Sequence, residues 1–484
     1  MTYSYQKFVK HIFTVGFLDL LGIVQGIVFL SLITKILGVE EYGIWVQIRV
    51  SMALVVAFAF LGLQEALIRF IPGEKNQEEI QEGVYSSFFL IFFISLIISL
   101  FLMIFSGYIS IFLKFDPIFI RLLSLIVIFE SLSMFFLVVI RSMKEIGKYF
   151  WFVTLKLFGE IGLVITFVFL GYGLLGAILS VLIIRIVIFL SSIVYIINKI
   201  DFKFPNFSLI KKYLSFSLPT MVDGISYWII TSSDRFLIAS FLGVAFVGYY
   251  VPAYSMGSLL VFFIFPMAFT LSTFLPKLFD ENNLNEVKNY LRHSLKYLLF
   301  LMTPSVFGLS VLSRQLLIFF STKDISDKAF FIIPFIASSI LFYGVIYFFT
   351  QILVLTKKTK IIALVWLASA FLNLALNIVF IPILGILGAA TSTLTSYLCA
   401  LVLMYYFAFK EFQFRIEWHF IFKIFIASVF MSISILWLNL SGLLGIVLKV
   451  LLGVVIYLIL MVLFKGIDKK EVNFLKNLIQ KKYI

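Results

Sequence analysis

The hydrophobic positions of this chain fall in long unbroken runs, and the polar residues gather in short segments between them. A helix needs ~20 apolar residues to cross a bilayer, and by that measure the runs predict fourteen spanning helices. They lie at 11–37, 43–69, 84–106, 118–140, 149–170, 174–197, 213–240, 247–275, 293–319, 329–354, 361–381, 386–409, 420–438 and 443–464. Barrel strands would read as alternating segments of about ten residues, and only helices and closed barrels satisfy their backbone in lipid. The pattern therefore predicts an all-α polytopic membrane protein. The first run is too long for a cleavable leader, and no small-residue cleavage site follows it, so it is expected to stay as the first span.

Composition agrees. Of 484 residues, 62% are hydrophobic and 13% charged, against the usual quarter charged in soluble domains, and the mean hydropathy is +1.13. The net charge of +14 would suggest nucleic acid in a soluble chain, but here no hydrophilic domain exists to carry a basic face. With the N-terminus inside, 27 of the 38 Lys and Arg fall on the inner side. The outer side holds only Lys35, Lys114, Arg121, Arg314, Lys323 and Lys328. That bias is an orientation signal. It predicts a multi-pass protein of the cytoplasmic (inner) membrane with both termini cytoplasmic, contacting membrane lipid and no nucleic acid.

Enzymatic chemistry finds little footing. Cys399 is alone, so neither an internal disulfide nor a cysteine metal site is available. His11, His293 and His419 all lie at predicted helix ends, and no Asp-x-Asp, His-Glu-x-x-His or phosphate-loop pattern occurs. No catalytic residue, metal site or cofactor is expected, and no loop is long enough to be a domain.

Two short patterns recur. Gly38 and Gly43 in "LGVEEYG" return as Gly243 and Gly248 in "LGVAFVG", 205 residues later, each time joining a first to a second span. "GLLGA" at 173–177 returns as "GILGA" at 385–389, 212 residues later, joining a fifth to a sixth span. The chain thus reads as two like six-helix lobes, 1–200 and 201–412, followed by helices 13–14 and a basic tail, 413–484. Six is even, so the copies share one topology and are related by an axis along the membrane normal, as in transporters that rock around a central cleft.

Three stretches stand out: "TKILGVEEYGIW" at 34–45, "FSLPTMVDGIS" at 216–226 and "SSDRFLIASFLGVAFVGYYVPAY" at 232–254. With them, this arrangement resembles the polysaccharide-transporter branch of the MOP exporter superfamily, the Wzx-type flippases of lipid-linked oligosaccharides. The resemblance implies a MATE-like fold, alternating access, and a polyprenyl-pyrophosphate-linked glycan as substrate. It also implies glycan polymerase and glycosyltransferases of the same pathway as partners. Helices 13–14 are associated, in the related lipid II flippase branch, with a groove for the polyprenyl tail. A multidrug or cation antiporter of MATE type is the rival within the superfamily. A membrane-embedded glycan polymerase or glycosyltransferase is the rival outside it.

Burying a charge in a spanning helix costs ~2.5–3.5 kcal/mol on insertion scales, so each deep charge needs an account. The set is Asp19, Arg49, Glu65, Glu130, Lys156, Glu160, Arg185, Asp223, Asp234, Arg235 and Lys449. All but Lys449 lie in the first seven spans, and none falls between Ile361 and Phe409. Arg49, Arg185 and Arg235 are the candidates for lining a cleft, since a guanidinium fork binds two phosphate oxygens at once. Asp19, Asp223, Asp234 and Glu130 are candidates for H+ or Na+ coupling. Structural pairing competes with both readings. Lys156 and Glu160 share a helix face four residues apart, whereas the adjacent Asp234 and Arg235 are expected to find partners on other helices. Pro219 and Pro266, with the four repeat glycines Gly38, Gly43, Gly243 and Gly248, are the hinge candidates.

Overall fold

The computed structural model describes residues 2–466 apart from residue 75, and the side chains of all of these except 2–15, 19, 222, 223, 227 and 269. Every regular element among the described residues is helical. By contact the chain divides into two compact units, Met1–Tyr249 and Tyr250–Ile484.

The first unit contains α1 (Thr2–Ile36), α2 (Val39–Phe60), α3 (Leu63–Phe70), α4 (Gln77–Ile104), α5 (Ser106–Leu113), α6 (Pro117–Ser142), α7 (Ile146–Phe167), α8 (Gly173–Ile200) and α9 (Ile210–Phe241). Polar residues between the apolar runs set where helices start. Asn76 accepts from Glu78 N at the head of α4, and Asp116 accepts from Ile118 N at 2.8 Å, with Pro117 opening α6. Helix α6 is the hub, in contact with α2, α3, α4, α7 and α8. Helix α9 belongs to this unit because it packs on α2 and α3.

The second unit holds α10 (Val244–Ser258) from Tyr250 onward, then α11 (Ile264–Asp280), α12 (Leu284–Phe320), α13 (Lys323–Ala329), α14 (Ile332–Leu355), α15 (Thr359–Leu384), α16 (Ile386–Glu411), α17 (Trp418–Leu436) and α18 (Gly442–Leu463). Small residues make its tightest seam. Gly388, Ser392, Ser396 and Ala400, four apart on α16, are buried where α14 and α15 lie against that helix. In lipid, where apolar burial gives helices little reason to associate, small residues let backbones approach. The last two helices are pinned to α12. Tyr457 Oη donates to Phe300 O at 2.9 Å, and Gln315 Nε2 donates to Leu440 O at 3.1 Å.

Twelve stretches among the described residues are long and apolar enough to cross a membrane. The expectation of fourteen differs from this in two places. The stretch Ile146–Ile200 contains both α7 and α8, which meet where Gly171 and Gly173 take φ of 87° and 54°. Helix α9 has the length, 32 residues, but its serines, threonines and charges lower its hydropathy.

Two predicted spans are interrupted. The second, expected at 43–69, breaks at Leu61 (φ 49°) and Gly62 (φ 74°), so α2 ends and α3 begins afresh. A Cβ at Gly62 would lie 2.4 Å from Ser217 O on α9, and the bare glycine lets the two backbones meet there. The eighth, expected at 247–275, passes through a 3₁₀ segment, Leu259–Phe263, before α11. Pro266 stands near the start of α11, where a missing N–H is tolerated, whereas Pro219 lies within α9.

The repeated glycines have matched geometry. Gly38 and Gly243 take φ of 96° and 110°, and Gly173 and Gly385 take (54°, −144°) and (63°, −142°). A Cβ on Gly43 would meet Val244 O at 2.1 Å, and one on Gly248 would meet Val39 O at 2.0 Å. The two copies of the first pattern therefore touch each other, each through its second glycine and the residue following the other's first.

Candidate functional site

A cavity of about 590 Å³ opens inside the first unit. Met52, Val56 and Phe60 of α2 line it, spaced four residues apart and so on one helical face. Gly62, Gln64 and Glu65 enter it because the helix breaks at Leu61–Gly62 and α3 sets out anew. Glu130 and Met134 come from α6, and Thr220, Met221, Gly224 and Ile225 from α9. The wall is thus mostly apolar, with carboxylate, amide and hydroxyl groups at a few points, the usual character of a ligand site.

Beside it lies a cluster of buried charges drawn from four helices. Arg49 Nη1 of α2 donates to Glu160 Oε1 of α7 at 2.7 Å. The other oxygen of Glu160, Oε2, pairs with Arg185 Nη2 of α8 at 2.7 Å. Arg185 also pairs, through Nε, with Glu130 of α6, whose Oε1 accepts from Lys156 Nζ of α7 at 2.9 Å. The five groups form one chain, Arg49, Glu160, Arg185, Glu130 and Lys156, with three cations and two carboxylates. Arg49 sits one turn before Met52 and Ala53, on the face of α2 that lines the cavity, and its guanidinium lies 5.5 Å from the Trp45 ring. Glu130 belongs to the cavity wall itself.

Exposure is least in the middle of the chain and rises again to 9% and 17% at Glu130 and Lys156. The Arg49 side chain is 30% exposed, those of Glu160 and Arg185 1% and 2%. Charges so deep persist because each has an opposite partner in hydrogen-bond range.

The other site residues are placed as follows. Arg235 is buried and bonds within its own helix: Nη1 reaches Asp234 Oδ1 at 2.6 Å and the Thr231 carbonyl. Asp234 and Arg235, expected to find partners on other helices, also pair with each other, because the long arginine side chain folds back along α9. The i,i+4 pairing expected of Lys156 with Glu160 is corrected. Lys156 takes Glu130 across the α6–α7 interface, and Glu160 is held between two arginines. The side chains of Asp19 and Asp223 lie outside the described residues. Gln64 and Thr220 escaped the sequence reading, which attended only to charges. Gly62, inside the second apolar run, is the one signal that could have marked Gln64; nothing local marks Thr220.

The fold is similar to that of a lipid II flippase and of a multidrug transporter of the MOP superfamily. The lipid II flippase MurJ in its inward closed conformation superposes with a TM-score of 0.74 at 20% identity, covering 94% of this chain and 98% of that one. An inward-facing multidrug resistance MATE family transporter superposes with a TM-score of 0.63 at 14% identity, covering 81% and 93%. The model of the polysaccharide biosynthesis protein family matches residues 32–327, more than half of the sequence, and the chain belongs to that family. A relative in Haloferax volcanii, the probable low-salt glycan biosynthesis flippase Agl15, is 24% identical over 496 residues, 99% of this chain and 98% of its own.

Proposed function

We propose that this protein is a flippase that carries a polyprenyl-pyrophosphate-linked glycan from the inner to the outer leaflet of the cytoplasmic membrane by alternating access, with both termini inside. It is a transporter and not an enzyme. The observation that carries the reading is the cavity of about 590 Å³ beside a buried cluster with one more cation than carboxylates, in a member of the polysaccharide biosynthesis family. A pyrophosphate entering a low-dielectric passage needs a fixed positive partner, and arginine is the side chain that binds it in two places at once. Arg49, the exposed end of the cluster, is assigned that contact. Gln64, Glu65 and Thr220 offer acceptors and donors to sugar hydroxyls, and Phe60 an aromatic face.

The full-length protein in vesicles tests the assignment, with an NBD-labelled polyprenyl pyrophosphate sugar as the probe and dithionite quenching to read which leaflet it occupies. Arg49→Gln is expected to slow equilibration about tenfold, the loss of one charge-assisted contact. An unchanged rate would remove Arg49 from the site, and no transport by the native chain would remove the function. Ion coupling belongs to the same assay: proton or Na+ gradients are applied, and Asp223→Asn, Asp19→Asn, Asp234→Asn and Glu130→Gln are compared. The glycan polymerase and glycosyltransferases of the pathway are the proposed partners.

A further inference from the structure

We infer that Glu160 is a positioning residue, which holds the Arg49 guanidinium at the cavity and yields it to the phosphate of the lipid carrier. This rests on the reading that Arg49 meets the substrate. The geometry points to an exchange of partners because the two oxygens of Glu160 are divided. Oε1 serves Arg49 and Oε2 serves Arg185, each at 2.7 Å. When Arg49 leaves, Glu160 stays neutralised by Arg185, and Arg185 keeps Glu130 as well. No buried carboxylate is stranded, so the step avoids the penalty that makes most buried pairs costly to open.

Burial decides which member moves. Of the five, Arg49 has the most exposed side chain, 30%, while Glu160 beneath it has 1%. A guanidinium that trades a carboxylate oxygen for a phosphate oxygen keeps a charge-assisted hydrogen bond on both sides of the exchange. The exchange is therefore nearly balanced, and the anion is held without being trapped. The carboxylate also aims the arginine. Without it the long side chain has many rotamers, and a misplacement of ~1 Å is enough to cost a large factor in rate.

A double-mutant cycle in the vesicle assay, with rates measured over a range of probe mole fractions, tests this. Arg49→Gln, Glu160→Gln and the pair are compared, each checked for a monodisperse full-length protein. If Glu160 acts through Arg49, Glu160→Gln slows transport several-fold and the double variant is no slower than Arg49→Gln alone. Effects that multiply, or an unchanged rate in Glu160→Gln, overturn the inference while leaving Arg49 as a substrate contact. Loss of effect in Arg49→Gln overturns the reading beneath it instead. Should Glu160→Gln fail to fold, Glu160→Asp keeps the charge but withdraws it from Arg49 by one methylene. It is expected to raise the apparent KM several-fold with kcat little changed, as weaker ground-state positioning does. An unchanged KM overturns the proposal.

Discussion

Where the first unit keeps arginine, the second keeps tyrosine. The position 205 residues on from Arg49 is Tyr254, and the position 212 residues on from Arg185 is Tyr397. Arg185 ends in two carboxylates, whereas Tyr397 is buried among rings, 5.8 Å from Tyr343 and 6.3 Å from Trp366. Tyr254 lies 5.8 Å from the ring of Tyr250. The turns that lead into the two helices are alike, with matching dihedrals at Gly173 and Gly385. What differs is the demand each side chain makes. A buried guanidinium needs carboxylates on neighbouring helices, and α6 and α7 supply Glu130 and Glu160. A phenol needs ring neighbours and a hydrogen bond. The first unit thus holds an ionic cage and the second an aromatic one, and of these two only the ionic cage offers fixed charge to an anion.

The largest test of this contrast is at the paired sixth-span positions. Arg185→Leu leaves Glu130 with Lys156 and Glu160 with the half-exposed Arg49, and is expected to cost about 3–5 kcal/mol, whereas Tyr397→Phe keeps its ring contacts and costs about 1 kcal/mol or less. Thermal unfolding of the purified chain in detergent, followed by tryptophan fluorescence, compares them. Equal losses would mean that the two cages are energetically alike.

The matched turns are probed by Gly173→Ala and Gly385→Ala. Both positions have positive φ with ψ near −143°, a region hostile to any Cβ, so each is expected to cost about 1–3 kcal/mol and the two to agree closely. A large difference in melting would show that the repeat is matched in sequence but not in mechanics.

Within the ionic cluster the smallest effect is assigned to Lys156→Gln. Its removal leaves two cations and two carboxylates, with Glu130 still paired to Arg185, so the expected cost is about 1 kcal/mol. A loss as large as that of Arg185→Leu would show that the cluster has no charge to spare.

Much of this was legible in the chain before any packing was known. Runs of apolar residues without alternation leave the backbone no option in lipid but the helix. The Leu-Gly-Val patterns at 37–39 and 242–244 marked the repeat because positive φ selects glycine wherever the copies turn. The concentration of charge in the first half was equally plain. Partner choice was not. Lys156 and Glu160 are neighbours on one helix, yet each bonds across an interface, because helix rotation and depth decide which oxygen comes within 3 Å. Asp234 and Arg235 were expected to find partners on other helices, and the freedom of a long side chain also lets them pair with each other.

Local chemistry therefore wrote the helices, the repeated turns and the membrane class into the sequence, since each depends on the residue itself or on near neighbours. The tertiary structure alone decided where the second span breaks to open a cavity, that Gly43 and Gly248 mark a contact between the copies, and that five charges from four helices make one cluster. Those outcomes depend on how helices distant in sequence rotate against one another, and no short window of residues records that.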